Sequence, residues 1–441
     1  MQTRTLLAGI TALMALGAGT AGAKDVSIAD LLHDLQPINN DLARYAYLTQ
    51  ALPKLSASDR MTAMQLLAWS EDELGLYNEA VRHFPLVPPM LPQLVQPSPA
   101  EWKAVDAAEA VAALADKRRI VMVNEAHNDA HTRELTLALL PRLRALGFNY
   151  FAAEALGDKD AELQQRGYPV SASGSQYLHE PLYGEIIRTA LKLGFVVVPY
   201  DSSAHGTEER EADQARNLYQ RVFAKDPSAR LFVHAGFAHI DKAKGRLGKV
   251  EPLAMRLREL TGFEPLSIDQ TQFRDVNSGN ELDAYHQLTT NFQPKLPTVL
   301  VNRTSGTPWS AIPGQYDVSV IVPLEASLGD AKQLVPAWQT FGMIGISVQA
   351  PAGPPLRPGW LPLGGQRHAL PIDSATLCAK TLPCVVEAHY ASEPDKAIAA
   401  DRYTFVQPGN VALYLFPGPY RLRAWDAQGN TLAAQTVEVP Q

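Results

Sequence analysis

Five short, continuously apolar segments, each preceded by a stretch with helical periodicity, constrain this chain more than any other feature. They are Arg119–Val123, Asn149–Ala153, Phe195–Tyr200, Arg230–His234 and Pro265–Ile268, and the stretches before them cover 101–116, 131–146, 181–193, 208–224 and 251–261. A half-exposed strand alternates apolar and polar residues, whereas a run apolar throughout is covered on both faces. Strands of that kind separated by helices of about 10 to 17 residues specify an α/β fold, a mostly parallel sheet with helices on both faces.

The flanking regions read differently. Residues 24–98 form a helical segment and linker: Ser56-Ala57-Ser58-Asp59 caps a helix from Arg60 to Ser70, a second amphipathic stretch runs from Glu71 to Phe84, and Pro85, Pro88, Pro89, Pro92, Pro97 and Pro99 then exclude helix and central strand. The α/β domain with the candidate active site occupies 99–350. Its later apolar runs, Thr298–Val301 and Val318–Val322, suit strands added antiparallel to the same sheet. A second Pro/Gly-rich stretch, Pro351–Gly365, precedes a small β-sandwich-like domain at 366–441. There Val411–Phe416, Tyr420–Trp425 and Thr431–Val439 are strands separated by turns at Pro417-Gly418-Pro419 and Asp426–Gly429.

The first 23 residues read as a secretory signal peptide. Arg4 supplies the positive end, Leu6–Ala18 the apolar core and Ala21-Gly22-Ala23 the small-residue cleavage site. No cysteine for lipid attachment follows, and no later stretch reaches the roughly 18 apolar residues of a membrane span. The expected location is the periplasm or the medium, where the two cysteines, Cys378 and Cys384, suit a short disulfide loop better than a thiol nucleophile or a zinc pair. A net charge of −7 without a basic run leaves no cationic face for nucleic acid.

Ligands of open parallel sheets bind beyond the carboxyl ends of the strands. Here those positions hold acids and imidazoles. The first strand ends in Asn124-Glu125-Ala126-His127, with Asp129 and His131 just after; the second ends in Glu154, the third in Asp201 with Ser202, Ser203 and His205, the fourth in Gly236-Phe237-Ala238-His239 and the fifth in Asp269. Glu125 and His127 are two apart, so extended backbone aims both to one side. If Glu125 and Glu154 approach closely, each raises the pKa of the other and one proton is shared near neutrality, which suits acid/base work. His127 and His239 as neutral imidazoles can deprotonate water or bind metal. His131, Asp201 and Arg188 are candidates for substrate binding, and His179 and His205 are further histidines whose place the sequence does not fix. His234, inside its strand, reads as a core histidine, Asp269 as a possible helix cap, and the serines lack a nucleophile-elbow pattern.

These segments resemble a superfamily. Asn124-Glu125-Ala126-His127 with Asn128-Asp129-Ala130-His131, then Glu154, then Gly236-Phe237-Ala238-His239, look like the blocks shared by erythromycin esterase-like, ChaN-like haem-uptake and Tiki/TraB proteins, and Glu209–Leu218 is similar to a helix they share. The likeness covers about residues 101–270. Asn124 stands where the pattern has glycine, and asparagine is the residue next most tolerant of left-handed backbone. The esterase-like branch implies water activated by these Glu and His residues against an ester, the Tiki-like branch a divalent-metal protease, and the ChaN-like branch haem binding.

The resulting expectation is an exported hydrolase of an ester or amide in a small molecule or peptide. Glu125 and Glu154 share acid/base duty, His127 activates water, and His239 stabilises developing charge. If a divalent metal is present, Glu125, His127 and His239 are its ligands. The alternative is a periplasmic protein binding haem or a small ligand through His127, His131 or a tyrosine. A third reading leaves recognition to the C-terminal β region. The segment 156–182, rich in Gly, Ser and Tyr, is expected in the pocket wall.

Overall fold

The computed structural model describes residues 27–85, 91, 94–276, 283–326 and 357–441. The expected signal peptide, Pro88, Pro89, Pro92 and the start of the 351–365 stretch lie outside the described residues.

Eight strands form the central sheet: β1 Trp102–Asp106, β2 Ile120–Glu125, β3 Tyr150–Ala153, β4 Val196–Pro199, β5 Leu231–Gly236, β6 Leu266–Phe273, β7 Thr298–Asn302 and β8 Val318–Ile321. Their order is β1-β7-β8-β6-β2-β5-β3-β4. All five apolar segments are strands, and they pair in parallel as β6-β2-β5-β3-β4. Of the two later runs, β7 is antiparallel to its neighbours, but β8 lies parallel to β6, so only one of them is the expected antiparallel addition.

Alternate residues of each strand feed opposite cores. Val121, Val123, Phe151, Ala153 and Phe232 pack with helices Ala107–Ala115, Glu134–Ala145 and Pro181–Lys192. Ile120, Met122, Ala152, Leu231, Val233 and Ala235 pack with helices Thr207–Leu218 and Leu253–Thr261. With each buried large aliphatic side chain worth about 1.5–3 kcal/mol, the strand edges that carry polar side chains are held rigidly. The expected helix 101–116 begins only at Ala107. Asp106 caps it by accepting from the Glu109 amide at 2.9 Å, while Trp102–Asp106 pairs with β7 instead.

The N-terminal helices are Ile28–Leu35, Asp41–Ala51, Ala57–Glu73 and Tyr77–His83. Ser56 caps the third, as its sequence indicates, accepting from the Asp59 amide at 3.2 Å. That helix does not stop at Ser70. It runs to Glu73 and breaks at Leu74-Gly75, where Gly75 has φ +74° and a Cβ would strike the Arg402 carbonyl.

The C-terminal strands are β9 His368–Asp373, β10 Cys384–Tyr390, β11 Asp401–Phe405, β12 Asn410–Leu415, β13 Gly418–Asp426 and β14 Thr431–Val439. They make two antiparallel sheets, β11-β10-β13-β14 and β12-β9, which share one core through Ile372, Leu413 and Leu415 against Val386 and Leu422. β13 and β14 form the hairpin expected across Asp426–Gly429. β12 and β13 do not pair: β12 joins β9 in the other sheet. Cys378 and Cys384 are disulfide-bonded.

Candidate functional site

At the carboxyl end of β2, Glu125 is buried and both its oxygens are engaged. Oε1 lies 2.8 Å from His127 Nδ1, and Oε2 accepts from Arg133 Nε at 2.5 Å. His234, buried in β5 as its sequence position indicates, sits 3.5 Å from the same Oε2 through Nε2 and bonds Thr136 Oγ1 through Nδ1 at 2.9 Å. Burial alone would raise the Glu125 pKa, but Arg133 and hydrogen bonds from His127 and His234 outweigh it and hold the carboxyl well below its usual range. With Nδ1 turned onto the ionised Glu125, Nε2 is the ring nitrogen left facing away from that carboxylate.

Nε2 points toward β5. An ideal Cβ built on Gly236 would stand 2.5 Å from His127 Nε2 and 3.1 Å from Glu154 Oε2, so the imidazole fills the space this glycine leaves, beside the carboxylate. The next residue, Phe237, has φ +40°, an uncommon backbone state for a bulky side chain, held by its amide donating to the Glu125 carbonyl at 2.9 Å.

Glu154, at the end of β3, is the second anchor. Its Oε2 accepts from the Gly236 amide at 2.5 Å and its Oε1 from Arg210 Nη2 at 2.6 Å. Arg210 also pairs with Asp201 at 2.8 Å, and its Nη1 lies 3.3 Å from His239 Nε2. His239 sits between two acids, with Nδ1 2.6 Å from Glu211 and Nε2 3.4 Å from Glu154. Burial opposes its charge, but Glu211 and Glu154 outweigh burial and lift the His239 pKa to about 10. Burial likewise opposes the charge of Glu154, and His239 and Arg210 outweigh it and hold the carboxyl well below the usual range.

The shared-proton expectation for Glu125 and Glu154 is therefore overturned. Each acid has its own arginine and stays ionised. The expectation of a neutral His239 fails for the same reason, since its two carboxylate neighbours keep it cationic.

Aromatic rings wall the His127 side. Tyr177 stacks on the imidazole at 4.2 Å between centroids, and Phe237 and Trp69 approach edge-on at 5.2 and 6.4 Å. Tyr177 comes from the 156–182 segment expected in the pocket wall, and Trp69 from an N-terminal helix to which the sequence assigned no part in the site.

Of the expected substrate-binding residues, only Asp201 joins the cluster. His131 stacks instead on Trp360 at 5.2 Å and lies 3.2 Å from Glu134. Arg188 binds Glu393 at 2.6 Å, Glu185 at 3.1 Å and the Ile398 carbonyl, so it clamps helix Pro181–Lys192 to the C-terminal region. Asp269 is buried on Asn124 at 2.6 Å and Arg246 at 2.9 Å rather than capping a helix. Asn124 is ordinary strand, and its side chain ties β2 to β6 by accepting from the Gln270 amide at 2.8 Å. His179 meets Asp41 at 3.3 Å, and His205 is exposed.

Arg133, Asp72 and Glu180 were not legible as site residues, and Arg210 and Glu211 were marked only as part of the shared helix Glu209–Leu218. One signal existed: Ser70-Glu71-Asp72-Glu73 is a polar run inside a helix that continues without a cap, and all four residues are almost completely buried.

The donor set does not fit the implied metal. Guanidinium groups hold Glu125 and Glu154, His127 Nδ1 faces Glu125, and His239 is cationic, so the three expected ligands offer no convergent lone pairs. Among the described residues no group of three His, Cys, Asp or Glu side chains is arranged to hold a metal ion. Haem fits no better: the His127 side chain is 11% exposed and already flanked by three aromatic rings, and His131 is stacked on Trp360.

Fold and site together define an α/β protein with a carboxylate–imidazole dyad at the carboxyl edge of a mostly parallel sheet. No protein-family model matches the chain, and no curated protein matches it. Two solved structures described as bacterial protein toxins show a slight likeness, each with a TM-score of 0.28. One is 21% identical over 38% of this chain and 37% of that one; the other is 16% identical over 55% and 46%. The chain spans less than half the length of either, and a likeness this slight carries no argument about fold or activity. Among the described residues no helix is long and apolar enough to cross a membrane.

Proposed function

We propose that this chain is an exported hydrolase, of the erythromycin esterase, ChaN and Tiki kind, that adds water to an ester or amide without a metal. His127 Nε2 takes a proton from the attacking water and returns it to the leaving group. Glu125 orients the ring and stabilises the imidazolium formed on the way, as the acid of a catalytic triad does. Arg210 and cationic His239 supply positive potential for the charge that develops on the carbonyl oxygen. Glu154 is an ionised anchor that holds Arg210 and the Gly236 amide in place, not a proton donor. Export rests on the sequence of residues 1–23, and the Cys378–Cys384 disulfide suits an oxidising compartment.

The observation that carries the reading is the pairing of His127 Nδ1 with Glu125 at 2.8 Å while Nε2 fills the space a Gly236 side chain would take, beside Glu154. The test is hydrolysis of p-nitrophenyl esters and short peptides by the purified mature protein, with His127→Ala as control. Turnover in the parent that falls about 10²–10⁴-fold in the variant supports the reading. Equal turnover in the two removes His127 from the mechanism.

A further inference from the structure

We propose that Arg133 is a positioning residue for the Glu125–His127 dyad and that Asp72 anchors it, so that the N-terminal helices complete the site. The proposal rests on the hydrolase reading above and extends it to residues that no motif marks.

Arg133 is fully buried in the 3₁₀ turn Ala130–Arg133 that follows β2. Its guanidinium touches both members of the dyad: Nε donates to Glu125 Oε2 at 2.5 Å, and Nη2 reaches the His127 carbonyl at 3.4 Å. The remaining edge is held by two acids from elsewhere in the chain. Nη1 donates to Asp72 Oδ2 at 2.6 Å and lies 3.1 Å from Glu180 Oε2. Asp72 does two things at once, since its other oxygen accepts from the Ala130 amide at 3.1 Å and fixes the turn on which Arg133 sits. Glu180 is fixed in its turn as the N-cap of helix Pro181–Lys192, accepting from the Leu182 and Tyr183 amides at 2.8 and 2.7 Å, and from Tyr77 Oη at 2.9 Å.

The planar fork explains the residue type. A guanidinium can hold a carboxylate, a carbonyl and two further acids in one plane, whereas a lysine ammonium is a single point of charge with no fixed directions. Three acids around one cation would not be assembled merely to neutralise Glu125. The surplus fixes the orientation of the guanidinium, and through it the direction in which Glu125 aims His127.

The test compares the mature parent with Arg133→Lys and Asp72→Asn, each checked for folding by circular dichroism and thermal melting. Lysine keeps the charge and loses the fork, so kcat for a p-nitrophenyl ester is expected to fall about 10–100-fold with KM nearly unchanged, the pattern of a lost transition-state interaction. The acid limb of the pH profile is expected to move upward, because the lysine ammonium no longer donates to Glu125 from the fixed position that helps hold its pKa down. An independent readout is the ¹⁵N spectrum of the His127 imidazole, in which the Nδ1-protonated pattern of the parent is expected to give way to mixed tautomers in Arg133→Lys. Should Arg133→Lys not fold, Asp72→Asn carries the test, because asparagine can still accept from Ala130 but then turns a donor toward Nη1 in place of the accepting oxygen; the same changes are expected at smaller size. Folded variants with the parent's kcat, acid limb and imidazole spectrum overturn the proposal. A parent that hydrolyses none of the substrates overturns the hydrolase reading instead, while the imidazole spectrum still decides the role of Arg133.

Discussion

The imidazole of His127 occupies the place that a side chain at Gly236 would take. An ideal Cβ there would lie 2.5 Å from Nε2 and 3.1 Å from Glu154 Oε2, well inside normal contact. Because φ at Gly236 is not in the left-handed region, the requirement for glycine is one of space and not of backbone conformation. Gly236→Ala should therefore leave the strand intact and displace the ring. We expect esterase turnover to fall at least tenfold, since small misplacements of catalytic groups cost about that or more, with a melting temperature within a few degrees of the parent. Full activity in a folded Gly236→Ala protein would show that Nε2 does not act at this position.

Glu125→Gln tests the other end of the dyad. Glutamine keeps the volume, but it is neutral and can turn a donor toward His127 or Arg133 where each now meets a carboxylate oxygen. Turnover is expected to drop about 10²–10⁴-fold. Stability should fall by less than the roughly 3–5 kcal/mol typical of breaking a buried ion pair, because Arg133 keeps Glu180 at 3.1 Å and the Asp72 oxygen at 2.6 Å as partners. Urea denaturation and single-turnover kinetics on the same preparation separate the two effects.

Why some of this was readable in the sequence and some was not follows from where each interaction closes. Four of the five parallel strands are legible because burial on both faces demands unbroken apolar runs; β4, at the sheet edge with Val196 exposed, carries such a run without that burial. Glu125, His127, Glu154 and His239 are legible because they directly follow such runs. Trp102–Asp106 is missed because a short, half-exposed strand just before a helix continues the helical pattern, although Asp106 with Glu109 marks the true start of the helix. Arg133 and Arg210 lie on helical turns, where arginine is ordinarily solvated, and only the fold turns them inward onto acids 8 and 56 residues away. Asp72 and its neighbours resemble a solvated helix face for the same reason.

Arg188 shows the reverse case, a residue that suits a pocket by its type but serves a junction. It joins helix Pro181–Lys192 to Glu393, 205 residues later, with side chains 9% exposed on both partners. Arg188→Ala should leave the dyad and its turnover in place while leaving Glu393 and Glu185 buried without their cation. The expected loss is about 3–5 kcal/mol, read as a lower denaturation midpoint and faster proteolysis between the α/β region and the C-terminal strands. Unchanged stability with reduced turnover would return Arg188 to the site.

His239 gives a stability signature with a definite sign. Its pKa is raised from an ordinary 6.5 to about 10 by Glu211 and Glu154 against the opposing effect of burial. A group raised in the folded state stabilises fully below its unfolded pKa, and that contribution is lost as pH rises through the folded value. Between about pH 6.5 and 10 the folded protein holds a proton that the unfolded chain has released, so this part of the stability declines steadily across the window. His239→Gln removes the titrating group, while Arg210 remains to pair with Glu154. Melting temperatures of parent and variant from pH 6 to 10.5 should converge as pH rises, the parent losing on the order of a few kcal/mol more than the variant. Lysines and tyrosines titrating in the same range are common to both proteins and cancel in the difference. Parallel curves would mean that His239 is not held cationic, and the positive potential assigned to it beside Glu154 would then have to come from Arg210 alone.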